Sequence, residues 1–254
     1  MSFSAQWLAL REPFDLRARH GGVLRQAATS LAGRRAVTIV DLACGTGATM
    51  RALAPHLRMH QSWRLFDNDL SLLAKVPPAA NVHVHALDLV CDLEAALDGP
   101  VDLVSAGWLE RLVVEVAARK MPLYAALSYD GRVDFTPEDP RDAAVIAAVN
   151  LHQRGDKGFG PALGPSAAHT AVECLQRVGY VVERGAADWL LGEADLSMQE
   201  AMLTGWALAA SETGEVSHEA AAEWLVSRRS ALAAKRSRIR VGHQDFFATP
   251  PGTR

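Results

Sequence analysis

Cysteine is scarce: Cys44, Cys91 and Cys174 are the three in 254 residues, far apart and with no Cys-x-x-Cys pair. That spacing excludes a disulfide framework and a zinc site built on paired thiolates, and it fits a reducing, cytoplasmic setting. A basic excess is lacking too. The 26 Lys and Arg against 29 Asp and Glu leave a formal charge of -3, which offers no electrostatic footprint for nucleic acid. No apolar run approaches the roughly 20 residues of a membrane span, so no membrane partner is expected. The first twenty residues have no basic stretch followed by a long apolar one, and no signal peptide is expected there. Internal repeats and low-complexity linkers are absent.

What is present reads as one globular domain over 1–254. Apolar residues make up 49% and charged residues 22%, ordinary proportions for a chain long enough to bury a substantial core. Residues 1–35 show helical spacing, with Pro13 and Gly21-Gly22 expected to interrupt it. From Ala36 onward strands alternate with helices, the mark of an α/β fold with a parallel sheet. The strands are read in AVTIVDLA, WRLFD, NVHVHALDL, VDLVSAG and PLYAALSY. The Asp130-Gly131 pair after the fifth predicts a hairpin turn with a short return strand. Ser166 is a plausible N-cap for the helix that follows. YVVERGAADWLL is a further strand with a break expected at Gly185, and RIRVGHQDFFAT is the last. The core sheet is thus expected over 37–192 and 237–249, with a helical insertion at about 193–236. Trp206 and Trp224 in that insertion are read as packing residues.

The segment VTIVDLACGTGATMRAL, Val37 to Leu53, is a buried strand, a glycine turn and a helix. Gly45 and Gly47 let backbone approach a ligand closely. The dinucleotide fingerprint asks for a small residue where Met50 stands, which counts against an NAD-type oxidoreductase, and no Lys-Ser or Lys-Thr follows to make a Walker loop. Asp67 ends the second strand, where a carboxylate can accept both ribose hydroxyls of an adenosine-bearing ligand. Asp88 ends the third, placed to accept an adenine amino hydrogen with Leu89 packing nearby. Ser105-Ala106-Gly107 end the fourth with small side chains. His83 and His85 share a strand face, but no third ligand is evident and no metal is expected.

These segments, VDLACGTG, FDNDLSLL, ALDL and VDLVSAG, together resemble the class I S-adenosylmethionine-dependent methyltransferases. The resemblance implies a Rossmann-like seven-stranded sheet of order 3-2-1-4-5-7-6, helices on both faces and an antiparallel last strand. It implies S-adenosyl-L-methionine as cofactor. Asp41, with Ala43, Cys44, Gly45 and Gly47 of the turn, would line the methionine part. Asp67, beside Asn68, would take the ribose, Asp88 with Leu89 the adenine, and Ser105 the floor under the sulfonium. N-terminal arms close over the cofactor in similar enzymes; of Arg11, Arg17 and Arg19, Arg11 is favoured to pair with the methionine carboxylate.

The expected function is methyl transfer to a small-molecule acceptor. SAGW after the fourth strand, in place of an Asn-Pro-Pro-Tyr type tetrapeptide, gives no support to methylation of nucleic-acid bases. The loop HQRGDKGFGPALGP gathers His152, Arg154, Asp156 and Lys157. Arg154 and Lys157 suit an acceptor bearing a carboxylate or phosphate, and His152 suits a general base. The helical insertion is read as a substrate lid, a structural elaboration or a homodimer surface. A second reading is a non-catalytic module that binds S-adenosylmethionine and serves as a regulator or partner.

Overall fold

The computed structural model describes residues 4–106, 110–155 and 162–252. The chain divides into two compact units. The first comprises Met1–Ser128, Ala168–Ala187 and Gln244–Arg254; the second comprises Tyr129–Ala167 and Asp188–His243.

In the first unit, α1 (Ala5–Ala18) and α2 (Gly21–Ser30) precede the sheet. The Ser4 hydroxyl caps α1 by accepting the Trp7 N–H, and His20 Nδ1 caps α2 by accepting that of Val23. The expected interruptions fall differently. Pro13 lies inside α1, and Gly21-Gly22 open α2 rather than break it. Then follow β1 (Ala36–Leu42), α3 (Ala48–Leu53), β2 (His60–Asp67), α4 (Leu70–Leu73), β3 (Val82–Ala86), α5 (Leu89–Ala96), β4 (Leu103–Ala106), α6 (Glu110–Arg119) and β5 (Leu123–Thr136). After α7 (Asp142–His152) of the second unit come α8 (Ala167–Arg177) and β6 (Val181–Ala186). Strands β1 to β5 pair in parallel.

The second unit also holds β7 (Trp189–Leu191), α9 (Leu196–Glu212) and α10 (His218–Ala233); β8 (Arg238–Thr249) closes the chain. Among the described residues the sheet has eight strands in the order β3-β2-β1-β4-β5-β8-β6, with β7 paired to β8 off that path. With β8 taking the part of the expected strand 7, this is the 3-2-1-4-5-7-6 order, and β8 runs antiparallel to β6. The eighth strand arises because YVVERGAADWLL breaks at Ala187-Asp188, not at Gly185, which lies within β6.

The alternation of β1 explains its burial on both faces. Val40 and Leu42 join one core with Phe66, Leu93, Val104 and Leu123. Val37 and Ile39 join the other with Trp63, Leu65, Leu103 and Tyr124. Each such large side chain taken from water contributes on the order of 1.5–3 kcal/mol.

One further expectation is corrected. No hairpin forms at Asp130-Gly131: β5 runs through it to Thr136. Positive φ at Leu127 (57°) and Gly131 (89°) accommodates local irregularity without reversing the strand. Ser166 directly precedes α8, and its Oγ donates to the Leu163 carbonyl within a short 3-10 turn at Gly164–Ser166.

In the second unit Phe135 stands edge-on to Trp206 and Trp224, at ring-centroid distances of 5.7 and 5.9 Å. Arg228 lies over the same Phe135 ring and pairs with Asp142, which also accepts the Trp224 indole N–H at 2.8 Å. The two tryptophans therefore pack, as the sequence suggests.

Candidate cofactor site

The turn after β1 is held in a conformation few residues adopt. Ala43, Gly45 and Gly47 have φ of 52°, 55° and 81°. Glycine takes such angles freely, whereas Ala43 adopts them at a steric cost of roughly 1–2 kcal/mol. Backbone bonds hold the turn: the Cys44 N–H donates to Phe66 O at 3.0 Å, and the Gly47 N–H to Cys44 O at 2.8 Å. Met50, the residue too bulky for a dinucleotide fingerprint, is buried in the core beneath the turn.

Asp67, 8% exposed at the end of β2, completes the fastening. Its Oδ2 accepts the Gly45 N–H at 2.8 Å and its Oδ1 the Asp69 N–H at 2.9 Å. An ionised carboxylate offers about four acceptor positions. Two are used by the backbone and two remain, the number a vicinal diol needs. The adjacent helix start does not call on it, because Asp69 caps α4 itself through the N–H groups of Ser71 and Leu72. Asn68 follows Asp67 with its side chain exposed.

Asp41 is buried, at 2% exposure, and its Oδ2 has no hydrogen-bond partner among the described residues. Burial pushes its pKa up from 3.8 to about 7, opposed by the Ser105 hydrogen bond and the Arg19 charge, and reinforced by Asp67. Ser105 thus stands at the end of β4 as expected, in contact with Asp41. Cys44 is likewise buried, and burial followed by the charges of Asp41 and Asp67 holds its thiol protonated.

Helix α1 lies over this turn. A Cβ built on Gly45 would stand 3.2 Å from Leu8 Cδ1. Glu12 receives a two-pronged bond from Arg51 of α3, at 2.6 and 2.8 Å. Arg51 in turn donates to the Thr46 carbonyl within the turn. Arg11, the arginine favoured from sequence, is occupied by Asp15 at 2.9 Å. Arg19 at the carboxyl end of α1 instead donates to the hydroxyls of Tyr124 (3.2 Å) and Thr49 (3.3 Å) and acts electrostatically on Asp41. Burial pushes Tyr124 up to about 12, keeping it a neutral phenol.

Asp88 caps α5 by accepting the Val90 N–H at 2.9 Å, and Leu89 is buried in the sheet core. His83 and His85 lie on β3, where the His85 ring stacks on Phe66 at 4.9 Å. His152 and Arg154 belong to the second unit. There His152 Nε2 lies 2.9 Å from Glu212 Oε2, and the Arg154 carbonyl accepts the Ala162 N–H. Gly107, Asp156 and Lys157 lie outside the described residues.

Sequence reading missed Glu12, Arg51, Tyr124 and Asp245 altogether. Asp245 is fully buried on β8, accepting the N–H groups of Leu127 and His20 at 2.7 and 2.9 Å. Glu12 and Arg51 are separated by 39 positions, and Asp245 and His20 by 225. No local spacing marks such pairs; an acid in the apolar run DFFA was the one available signal.

No sequence-defined protein family matches this chain, and no curated protein matches it. Its fold does have solved counterparts. A candidate type II methyltransferase from Anaeromyxobacter dehalogenans aligns over 91% of this chain and 96% of its own, at 16% identity and a TM-score of 0.53. A methyltransferase from Thiobacillus denitrificans, solved with S-adenosyl-L-homocysteine, aligns over 98% of this chain and 100% of its own, at 14% identity and a TM-score of 0.49. The fold is the Rossmann-like fold of the S-adenosylmethionine-dependent methyltransferases.

Proposed function

We propose that this protein binds S-adenosylmethionine at the turn after β1 and transfers its methyl group to a small-molecule acceptor. The observation that carries the reading is Asp67: a buried carboxylate that fixes the glycine turn with one half of its acceptor capacity and keeps the other half for a diol. The residues present fit the cofactor in two further respects. Asp41 Oδ2 is a buried acceptor with no partner among the described residues, and Gly45 and Gly47 hold the turn at positive φ, which brings its backbone within reach of a ligand.

Bound there, the cofactor supplies a methyl group on a positively charged sulfur, which leaves as a neutral thioether when an acceptor lone pair takes the methyl carbon. The chain's own part is to position and to exclude water. Asp67 orients the ribose. Asp41 and Arg19 set the charge beside the methionine portion. Arg11 remains an alternative partner for the methionine carboxylate if its pair with Asp15 opens. Asp88 and Leu89 are assigned to the adenine, Asp88 with the acceptor capacity its cap leaves. Leu8 and the Glu12–Arg51 pair place α1 as a cover.

The acceptor is read as an anionic small molecule, gripped by Arg154 and Lys157 with His152 as base, on the strength of the sequence of that loop. The test is to incubate the protein with S-adenosylmethionine and a panel of small carboxylates and phosphate esters, following S-adenosylhomocysteine by mass spectrometry. Acceptor-dependent formation above the acceptor-free rate supports transfer. Binding with no turnover on any acceptor favours the non-catalytic reading.

A further inference from the structure

We propose a second site, independent of the cofactor turn: an anion pocket in the first unit for a small molecule carrying two or more phosphate groups. A cavity of about 770 Å³ opens where α2 runs into β1 and where the chain enters β2. That volume lies within the roughly 300–1,000 Å³ of small-molecule sites. Arg34 and Arg35 line it from the turn after α2, and His56, Arg58 and His60 from the segment entering β2. No Asp or Glu is among its lining residues.

The charge there is unbalanced. Arg34 is paired with Asp102, but among the described residues no carboxylate pairs with Arg35, Arg58, His56 or His60. Arg51, Arg132, Arg141, Arg228 and Arg229 each hold a carboxylate, whereas the exposed Arg177 holds none among the described residues; what sets Arg35 and Arg58 apart is that they share one cavity. Gathering unpaired cations in one concavity raises its potential and costs mutual repulsion that an anion relieves. Arginine forks match phosphate oxygens in pairs, and two arginines plus two histidines suit more than one phosphate. Ala28, Ala32 and Met59 give the cavity an apolar wall for an organic portion.

A helix carboxyl terminus also attracts cations. The turn after α2 is satisfied without them: the Leu31 and Ala32 N–H groups donate to the Ala28 and Thr29 carbonyls, and no arginine side chain does. The cations converge in one cavity, and the chain as a whole carries -3, so the pattern differs from the extended basic stripe of a nucleic-acid binder. The pocket sits at the amino ends of β1 and β2, with Ala36 paired to His60. The cofactor turn follows the carboxyl end of β1, about 20 Å away at some 3.3 Å per residue.

The test is calorimetric titration of the full chain with inorganic tripolyphosphate, in the presence of saturating S-adenosylhomocysteine and in its absence. Saturable binding is expected in both, and weaker in high salt. R35A/R58A should lose roughly tenfold or more in affinity. Arg35 and Arg58 are exposed and unpaired, so the variant should keep its melting temperature. R177A, an exposed arginine on α8, should bind like the wild type. No saturable binding at millimolar tripolyphosphate, or equal affinity in R35A/R58A, would overturn the site. Tighter binding of a single-stranded oligonucleotide that the same double variant abolishes would overturn the small-molecule class. Failure of S-adenosylhomocysteine to bind would touch the function proposed above and not this pocket.

Discussion

The Asp67 carboxylate accepts the backbone N–H of Gly45 at 2.8 Å, so the end of the second strand fixes the turn that follows the first. One side chain thereby links the shape of the turn to whatever binds there. Asp67→Ala removes both the fastening and the remaining acceptor positions. We expect affinity for S-adenosylhomocysteine to fall by about 1.5–3 kcal/mol, the scale of a lost charge-assisted hydrogen bond. Calorimetry checks it, and unchanged affinity would remove Asp67 from the site.

Gly45→Val forces a branched residue to φ 55° with its Cβ 3.2 Å from Leu8 Cδ1. The expected outcome is lower thermal stability together with lost cofactor binding. A variant that binds normally would show that the ligand does not approach this glycine.

The Glu12–Arg51 pair is only partly exposed, with side-chain accessibilities of 21% and 30%. Screening keeps its contribution to stability under about 1 kcal/mol. Its larger effect should be kinetic. Glu12→Gln loosens α1 from the turn, and the dissociation rate of S-adenosylhomocysteine, measured by stopped flow, should rise several-fold with little change in melting temperature. An unchanged rate would mean that α1 is packing and not a cover.

Asp41 makes stability depend on pH. The native carboxyl holds its proton up to about pH 7, while the unfolded chain releases it near 3.8. Between those values unfolding releases a proton, so stability is greatest at the acid end and falls as pH rises through 7. The full difference amounts to at most about 4 kcal/mol. Asp245, also raised mainly by burial, has the same sign. Asp41→Asn should flatten the fall in melting temperature between pH 5 and pH 8; an equally steep fall would assign it to other groups.

Arg228 of the second unit is 2% exposed and bonds Asp142 and the Pro137 carbonyl. Arg228→Ala leaves a carboxylate and a carbonyl short of a buried partner, at a cost of about 3–5 kcal/mol. Urea titration should show an earlier transition, and an unchanged midpoint would contradict this.

The sequence disclosed what depends on neighbours along the chain. A β-branched run into Gly-Thr-Gly, an acid at the end of the next strand and the helix–strand alternation are all local signals, and they yield β1, the turn, Asp67 and a parallel sheet; the strand order is what the family resemblance implied. Asp130-Gly131 carries the same turn chemistry as a hairpin, yet β5 continues through it, because positive φ at Leu127 and Gly131 accommodates the chain in the strand. Asp88, proposed for the adenine, meets a local rule in any case, since it caps α5. Tyr124 and Asp245 were beyond reach for another reason, and Arg19 was legible only as one of three arginines in the arm. Arg19 and Tyr124 are 105 positions apart, and only the finished fold brings them together.

The central claim is that the turn after β1 holds S-adenosylmethionine, and calorimetric titration of the wild-type chain with S-adenosylhomocysteine tests it most directly. The expected result is one saturable site per chain, at micromolar or tighter affinity, with NAD giving no heat and Asp67→Ala abolishing or strongly weakening the signal. No saturable heat with S-adenosylhomocysteine or S-adenosylmethionine from a folded sample, or a response to NAD instead, would contradict it.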